Sequence, residues 1–249
     1  MKLHFLGTGV GIPQAGRVQS GLLVEPDYRG HLLFDCGAGV LQRLFESGHS
    51  PLDIDAIVLS HLHLDHVSDV FALLKSRWLC DKPDCRIIGP EGTQEWLDKM
   101  FDAYPYLQGR FDLAVTEVNP DIELDLGWNC KLSCAHGIHS VPSLGYRIEG
   151  EGNTFVYSAD TEPCDSIMEL TKGADVLIHE CSFPLGLEVT NHTTPDMLAP
   201  YLDKIDANRV YLTHLYPHMQ GHEEEALEYL RKNFKGNIEI ATDLLEIEI

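Results

Sequence analysis

The chain has 249 residues, 44% hydrophobic and 23% charged, which is enough to bury a substantial core. Eighteen lysines and arginines face 39 acidic residues, giving a formal charge of −21 with no basic run. That balance argues against long nucleic acid, whose phosphates must be neutralised, and favours a small substrate. No run of eighteen apolar residues is present, which excludes a membrane-spanning helix.

In chain order, Leu3 to Leu6 reads as a first strand rather than a signal peptide, because glycines break it at once. The loop Gly7-Thr8-Gly9-Val10-Gly11 is not followed by a helix, so it is no dinucleotide fingerprint. Such a loop serves either as a plain turn or as backbone passing close to a site. Ser20 to Val24 and His31 to Asp35 form a hairpin connected by Pro26 to Gly30, and a helix covers Val40 to Glu46. Asp53 to Ser60 is a buried strand, and Val67, Val70, Phe71 and Leu74 place a helix from about Asp65 to Trp78. A strand at Arg86 to Pro90 precedes a helix from Thr93, its N-cap, to Phe101; Tyr104 to Leu107 is a loop.

Strands follow at Leu113 to Val118, Trp128 to Ala135, Leu144 to Glu149 and Thr154 to Ser158. Pro163 to Lys172 is a short helix, and Asp175 to His179 a buried strand. A helix begins at Thr194-Pro195-Asp196, with Thr as cap and Pro at the first position, and Pro200 cuts it short. Arg209 to Thr213 is a strand and Glu223 to Phe234 a helix; strands at Ile238 to Ile240 and Leu244 to Ile249 close the chain. Two strand-rich blocks with interspersed helices suggest two packed sheets with helices outside, in one domain over residues 1–249, with no obvious internal repeat. Seven irregularly spaced cysteines form no disulfide framework, which places the chain in the cytoplasm with mostly buried, inert thiols.

The chemistry concentrates in Ser60-His61-Leu62-His63-Leu64-Asp65-His66, where a strand ends and a helix begins. His61 and His63 point the same way along extended chain, whereas Asp65 and His66 are expected to diverge at a bend, so one segment serves two metals. Imidazole and carboxylate suit zinc and other divalent first-row ions. Other ligand residues lie just beyond apolar runs: His139, Asp160 and His214. Taken alone, Asp160 also reads as a helix cap, His139 as a loop histidine and His214 as a core histidine.

This HxHxDH pattern resembles the signature of the metallo-β-lactamase superfamily. The resemblance implies a four-layer αβ/βα sandwich of the α+β class. Within the superfamily, His139-Ser140-Val141-Pro142-Ser143-Leu144-Gly145-Tyr146 is similar to the RNase Z-like phosphodiesterase branch. Carried over, His61, His63 and His139 hold one metal, Asp65, His66 and His214 the other, and Asp160 bridges. Asp35, in Asp-x-Gly, supports the metal loop. His192, in Asn191-His192-Thr193-Thr194, contacts the phosphate and protonates the leaving oxygen, and Glu180 orients a histidine of the site.

The resemblance further implies two divalent ions, zinc first and manganese as the alternative, sharing a hydroxide that Asp65 orients. RNase Z carries a long arm that holds tRNA between the third metal histidine and the bridging Asp. Only about twenty residues lie there in this chain, room for one hairpin. A small or cyclic phosphodiester is therefore the expected substrate, as for phosphoribosyl cyclic phosphodiesterase-type hydrolases, although their cysteine-rich zinc site is not evident. The alternatives are hydrolysis of a carboxylic ester, thioester or lactone by the same metals, or a non-catalytic metal-binding scaffold. A homodimer is compatible with the resemblance.

Overall fold

The runs Leu22-Leu23-Val24, Leu32-Leu33-Phe34 and Ala56-Ile57-Val58 are apolar without a break, and the structure shows why: successive residues enter two different cores. Leu3, Phe5, Leu22, Val24, Leu32, Phe34, Ala56 and Val58 point into a core shared by two sheets. Their neighbours Leu6, Leu23, Leu33 and Ile57 point away from it, into a core with Val40, Leu44, Val70, Leu73 and Leu97. In the second half, Phe155 and Val176 face the central core. Val156 and Leu177 face Leu198, Ala226 and Leu230. The result is helix, sheet, sheet, helix, the four-layer metallo-β-lactamase arrangement. This computed structural model describes residues 1–26, 30–127 and 129–249.

The first sheet contains β1 (Lys2–Gly7), β2 (Gly21–Glu25), β3 (Leu32–Phe34), β4 (Ala56–Val58), β5 (Asp84–Gly89) and β6 (Asp112–Glu117). The second contains β7 (Leu124–Gly127), β8 (Cys130–His136), β9 (Leu144–Gly150), β10 (Asn153–Tyr157), β11 (Ala174–Glu180), β12 (Ala207–Thr213) and β13 (Asn237–Ile240). A last strand, β14 (Leu245–Glu248), returns to the first sheet beside β1. Strand orders are β14-β1-β2-β3-β4-β5-β6 and β13-β12-β11-β10-β9-β8-β7. Each sheet has three antiparallel pairings followed by three parallel ones. The halves thus repeat one plan that their residues do not advertise.

The helices are α1 (Val40–Glu46), α2 (Leu64–Val67), α3 (Val70–Leu79), α4 (Thr93–Ala103), α5 (Asp165–Leu170), α6 (Pro195–Leu198) and α7 (Glu223–Arg231). The single helix expected after Asp65 is two. The Asp65 carbonyl accepts from the Ser20 amide at 3.2 Å, and the Asp69 amide donates to the Cys36 carbonyl at 2.8 Å, so the helical bond between them is replaced. The Asp69 carboxylate is turned onto the amides of Gly39 and Leu41 at the start of α1.

Other differences are local. Regular β4 pairing covers only 56–58, because residues 53–55 turn to meet the end of α1's loop. The N-cap of α4 is Gly92, while Thr93 donates its hydroxyl to the Pro90 carbonyl at 2.7 Å. Residues 105–107 form a turn of 3₁₀ helix, α7 stops at Arg231, and β7 is an additional edge strand. Thr194 caps α6 as expected, and the chain tightens into 3₁₀ geometry around Pro200. The hairpin connection at 27–29 and the start of the strand at Trp128 lie outside the described residues. Six of the cysteines are buried; burial pushes the Cys85 and Cys134 thiols up to about 11, away from the reactive thiolate. Among the described residues no helix is long and apolar enough to cross a membrane.

Candidate metal centre

Parallel strands all end on one edge, and side chains just past their carboxyl ends converge there. Asp35 follows β3, His61 follows β4, Asp160 follows β10, Glu180 ends β11 and His214 follows β12. Asp35 and His214 hold left-handed backbone, at φ 56° and 58°. So does Ala159, the residue before Asp160, at 54°. Such conformations in non-glycine residues cluster where surrounding structure over-determines a site.

All seven expected ligands meet. In one subsite, His63 Nδ1 lies 3.1 Å from both His61 Nε2 and His139 Nε2. Asp160 Oδ2 is 3.7 and 4.0 Å from those two Nε2 atoms. In the other, His66 Nε2 and His214 Nε2 are 3.4 Å apart. Asp160 Oδ1 lies 3.4 and 3.3 Å from them. Asp65 Oδ2 completes that group, 3.5 Å from His214 and 4.0 Å from His66. Asp65 and His66 therefore do not diverge, because adjacent positions of a helical turn are only about 100° apart. One oxygen of Asp160 faces each subsite.

The imidazoles are oriented by their other nitrogens. His66 Nδ1 donates to Asp35 Oδ2 at 2.7 Å. His139 Nδ1 donates to the Asn191 carbonyl at 2.7 Å. The Ser60 hydroxyl gives its hydrogen to Asp35 and so accepts from His61 Nδ1 at 3.0 Å. The Ser182 hydroxyl gives its hydrogen to Glu180 and accepts from His214 Nδ1 at 3.1 Å. When these rings are neutral, as metal binding requires, each unprotonated Nε2 points into the cluster. Without metal, burial disfavours charge on His66, but Asp160 and Asp35 outweigh it and raise His66 well above the ordinary range. Burial above all, then the charge of His66, holds His61 well below the ordinary histidine range, in the neutral form that binds metal. Burial opposes charge on Asp65 and Asp160, but His214 and His66 outweigh it and keep both carboxyls low. Asp160 Oδ1 is buried with no hydrogen-bond partner among the described residues. An orphaned carboxylate oxygen facing unprotonated imidazole nitrogens fits a divalent cation, and the donor set suits zinc or manganese.

His192 and Glu180 stand beside this cluster. His192 Nδ1 is 3.0 Å from Glu180 Oε1, and its ring stacks against His214 at 5.6 Å between centroids. Glu180 also accepts from the amides of Thr161 and Thr193 and from Ser182. It thus orients His192 directly and His214 through Ser182. Ser60, Ser182, Tyr157 and the Asn191 carbonyl carry no spacing pattern, and only the fold reveals their parts. Residues 13–17 and 215–217 line a cavity of about 400 Å³. Tyr216, on its wall, contacts the His192 ring. Tyr104 and Tyr106 instead line a separate groove with Phe71 and Lys75.

Glycines bring the ligand loops together. A Cβ at Gly37 would sit 2.0 Å from the Asp65 carbonyl oxygen, so Asp35-x-Gly37 lets α2 press against the end of β3. Gly37→Ala is expected to destabilise the protein by about 1–3 kcal/mol and to lower metal content, checked by denaturant unfolding and elemental analysis. A Cβ at Gly11 would lie 3.6 Å from the Asp65 carboxylate, so the first glycine-rich loop does pass the site.

The family model described as Beta-lactamase superfamily domain matches residues 31–215. That span runs from the strand bearing Asp35 to just past His214. The chain belongs to this superfamily. A ribonuclease Z of Methanosarcina mazei is 27% identical to this superfamily member over 304 aligned positions, covering all of this chain and 98% of that protein. The metallo-beta-lactamase fold protein YhfI from Bacillus subtilis superposes with a TM-score of 0.86 at 27% identity, covering 100% and 98% of the two chains. A diphosphatase from the PhnP family gives a TM-score of 0.78 at 21% identity, covering 100% and 97%.

Proposed function

We propose that this chain is a metal-dependent phosphodiesterase of the RNase Z-like branch, acting on a small or cyclic phosphodiester. The observation that carries the reading is the Glu180–His192 pair beside a seven-ligand cluster. Breaking a phosphodiester requires a nucleophile, charge neutralisation and a proton for the departing oxygen. Two divalent ions, held by His61, His63, His139, Asp65, His66, His214 and the shared Asp160, would supply a nucleophilic water near neutral pH and neutralise the phosphate oxygens. Asp65, half-buried, would orient that water. His192 donates its proton to the leaving oxygen. Burial pushes His192 down, but its hydrogen bond to Glu180 and the charges of Glu180, Asp160 and Asp65 outweigh this and raise it, which favours the acid form.

The segment between His139 and Asp160 bears on substrate size. Among the described residues only the β9–β10 hairpin lies there, closed by a turn at Glu151-Gly152. The M. mazei relative aligns over 304 positions against 249 residues here, so about 55 of its positions have no counterpart. The charge of −21 points the same way. The test compares zinc- and manganese-loaded protein on bis(p-nitrophenyl) phosphate, a 2′,3′-cyclic nucleotide and a precursor tRNA. Turnover of the small diesters without tRNA cleavage supports the proposal. Preferred tRNA cleavage overturns the substrate class, and no turnover with full metal overturns the activity. Chelation is expected to abolish turnover, and readding zinc or manganese to restore it.

A further inference from the structure

A second group of histidines lies at the opposite end of the first sheet. Asp35 and His31 flank β3 on its two sides, roughly 13 Å apart along the strand, so this group is separate from the catalytic cluster. His4 is in β1, Glu25 ends β2, His31 precedes β3 and His49 follows α1. In β1, Leu3 and Phe5 face the central core, so His4 occupies a position on the helix-facing side, where its neighbour Leu6 is apolar core. It is 4% exposed. Burying an imidazole there is costly unless its polar atoms are used.

Three Nε2 atoms surround one carboxylate. His4 Nε2 is 2.6 Å and His49 Nε2 3.6 Å from Glu25 Oε1, while His31 Nε2 is 3.4 Å from Glu25 Oε2. Two of the rings have their Nδ1 atoms occupied elsewhere. The Ser47 hydroxyl donates to the Leu44 carbonyl and therefore accepts from His49 Nδ1 at 3.1 Å. Glu246 Oε2 lies 3.5 Å from His4 Nδ1. In neutral His49 the Nε2 lone pair then faces a carboxylate oxygen, which is repulsive unless a cation lies between them. His61, His66, His139 and His214 show the same Nδ1-anchored, Nε2-inward arrangement in the catalytic cluster, where facing ligand atoms stand 3.1 to 4.0 Å apart. Tetrahedral zinc with bonds of 2.0–2.1 Å needs ligand atoms about 3.3 Å apart. Donors of His4, Glu25 and His49 already lie within 4.8 Å of one another. The His4–Glu25 hydrogen bond must open by less than about 1 Å on that same geometry, and His31, outside that 4.8 Å group, must swing inward to become the fourth ligand.

We propose that His4, Glu25, His31 and His49 form a separate structural site for a zinc-class divalent cation. Bound there, the ion ties β1, β2, the start of β3 and the end of α1 together, and the His4 proton leaves as it binds. The three imidazoles select zinc, nickel or copper over magnesium and calcium.

The test counts zinc per chain by equilibrium dialysis and elemental analysis for the wild type, His49→Gln and His31→Gln. The wild type is expected to bind one more equivalent than either variant, while turnover of the variants stays within about twofold. Zinc added beyond the catalytic complement should raise the wild-type melting temperature and leave that of His49→Gln unmoved. Because the readout is a difference of one equivalent, it stands whether or not the catalytic cluster hydrolyses phosphodiesters. Equal zinc content in the wild type and both variants overturns the site, as does displacement of the additional equivalent by magnesium.

Discussion

Replacing His192 with alanine is expected to lower kcat about 10²- to 10⁴-fold while the metal content stays full. The reason is positional. His192 Nδ1 is hydrogen-bonded to Glu180, and the ring stands within 4.8 Å of donors of Asp160 and His214, beside subsites that the other seven residues already furnish, so its loss leaves those seven in place. The defect should also depend on the leaving group. A p-nitrophenolate departs readily without a proton, whereas an alkoxide does not, so the loss should be smallest on the former and largest on an alkyl diester. A uniform loss across leaving groups would sink the acid role and leave His192 as a binding residue. Glu180→Gln supplies the matching pH test. Since His192 is raised in the folded protein, its acid form is present below that value and its help fades as pH rises through it. Removing the Glu180 charge lowers the value, so the alkaline limb of kcat/KM should move to lower pH.

Asp35→Ala is expected to cost about 3–5 kcal/mol of stability, the range for breaking a buried charged network. Asp35 is fully buried. One oxygen accepts from the Ser60 amide at 2.8 Å; the other accepts from the Ser60 hydroxyl, His66 Nδ1 and the Tyr157 hydroxyl at 2.8, 2.7 and 2.9 Å. Alanine strands four donors and must also take the left-handed backbone at φ 56°, which adds about 1–2 kcal/mol. Asp35→Asn keeps the volume but turns an amide toward donors, so His66 loses the acceptor that fixes its tautomer. The asparagine variant is therefore expected to remain folded with depleted metal. Urea unfolding of both, with elemental analysis of the asparagine variant, checks the pair. Full metal occupancy in Asp35→Asn would show that His66 needs no such anchor.

These two residues illustrate what the sequence could disclose. The seven ligands were legible because each is a metal-binding type set at or just beyond the end of an apolar run, whereas His192, after Thr190-Asn191, was legible only through the family resemblance. The function of Asp35 was legible only through its Asp-x-Gly setting and the family resemblance. Ser60 and Ser182 direct histidines by accepting from Nδ1, but a serine after a strand looks like any turn residue. Their role exists only because distant segments converge. The same applies to the break between α2 and α3, which is made by hydrogen bonds to Ser20 and Cys36, residues about fifty and thirty positions upstream. The edge strand β7 has alternating Leu124 and Leu126, with Ile122 just before it, yet the interleaved acidic residues masked it. The fold repeat was hidden for another reason: strand order and direction are conserved between the halves, while local spacing is not.

The distribution of ligands between the sheets has a consequence for the life of the protein. In each subsite the first half of the chain contributes some donors and the second half the rest: His61 and His63 meet His139, and Asp65 and His66 meet His214, with Asp160 reaching both. A bound ion is thus a removable rivet between two halves of the sandwich. Binding to the folded state alone adds about 2.7 kcal/mol of stability when free metal is a hundred times Kd. Free metal would then govern how long the folded chain persists as well as how fast it turns over, and scarcity would expose the emptied protein to proteolysis.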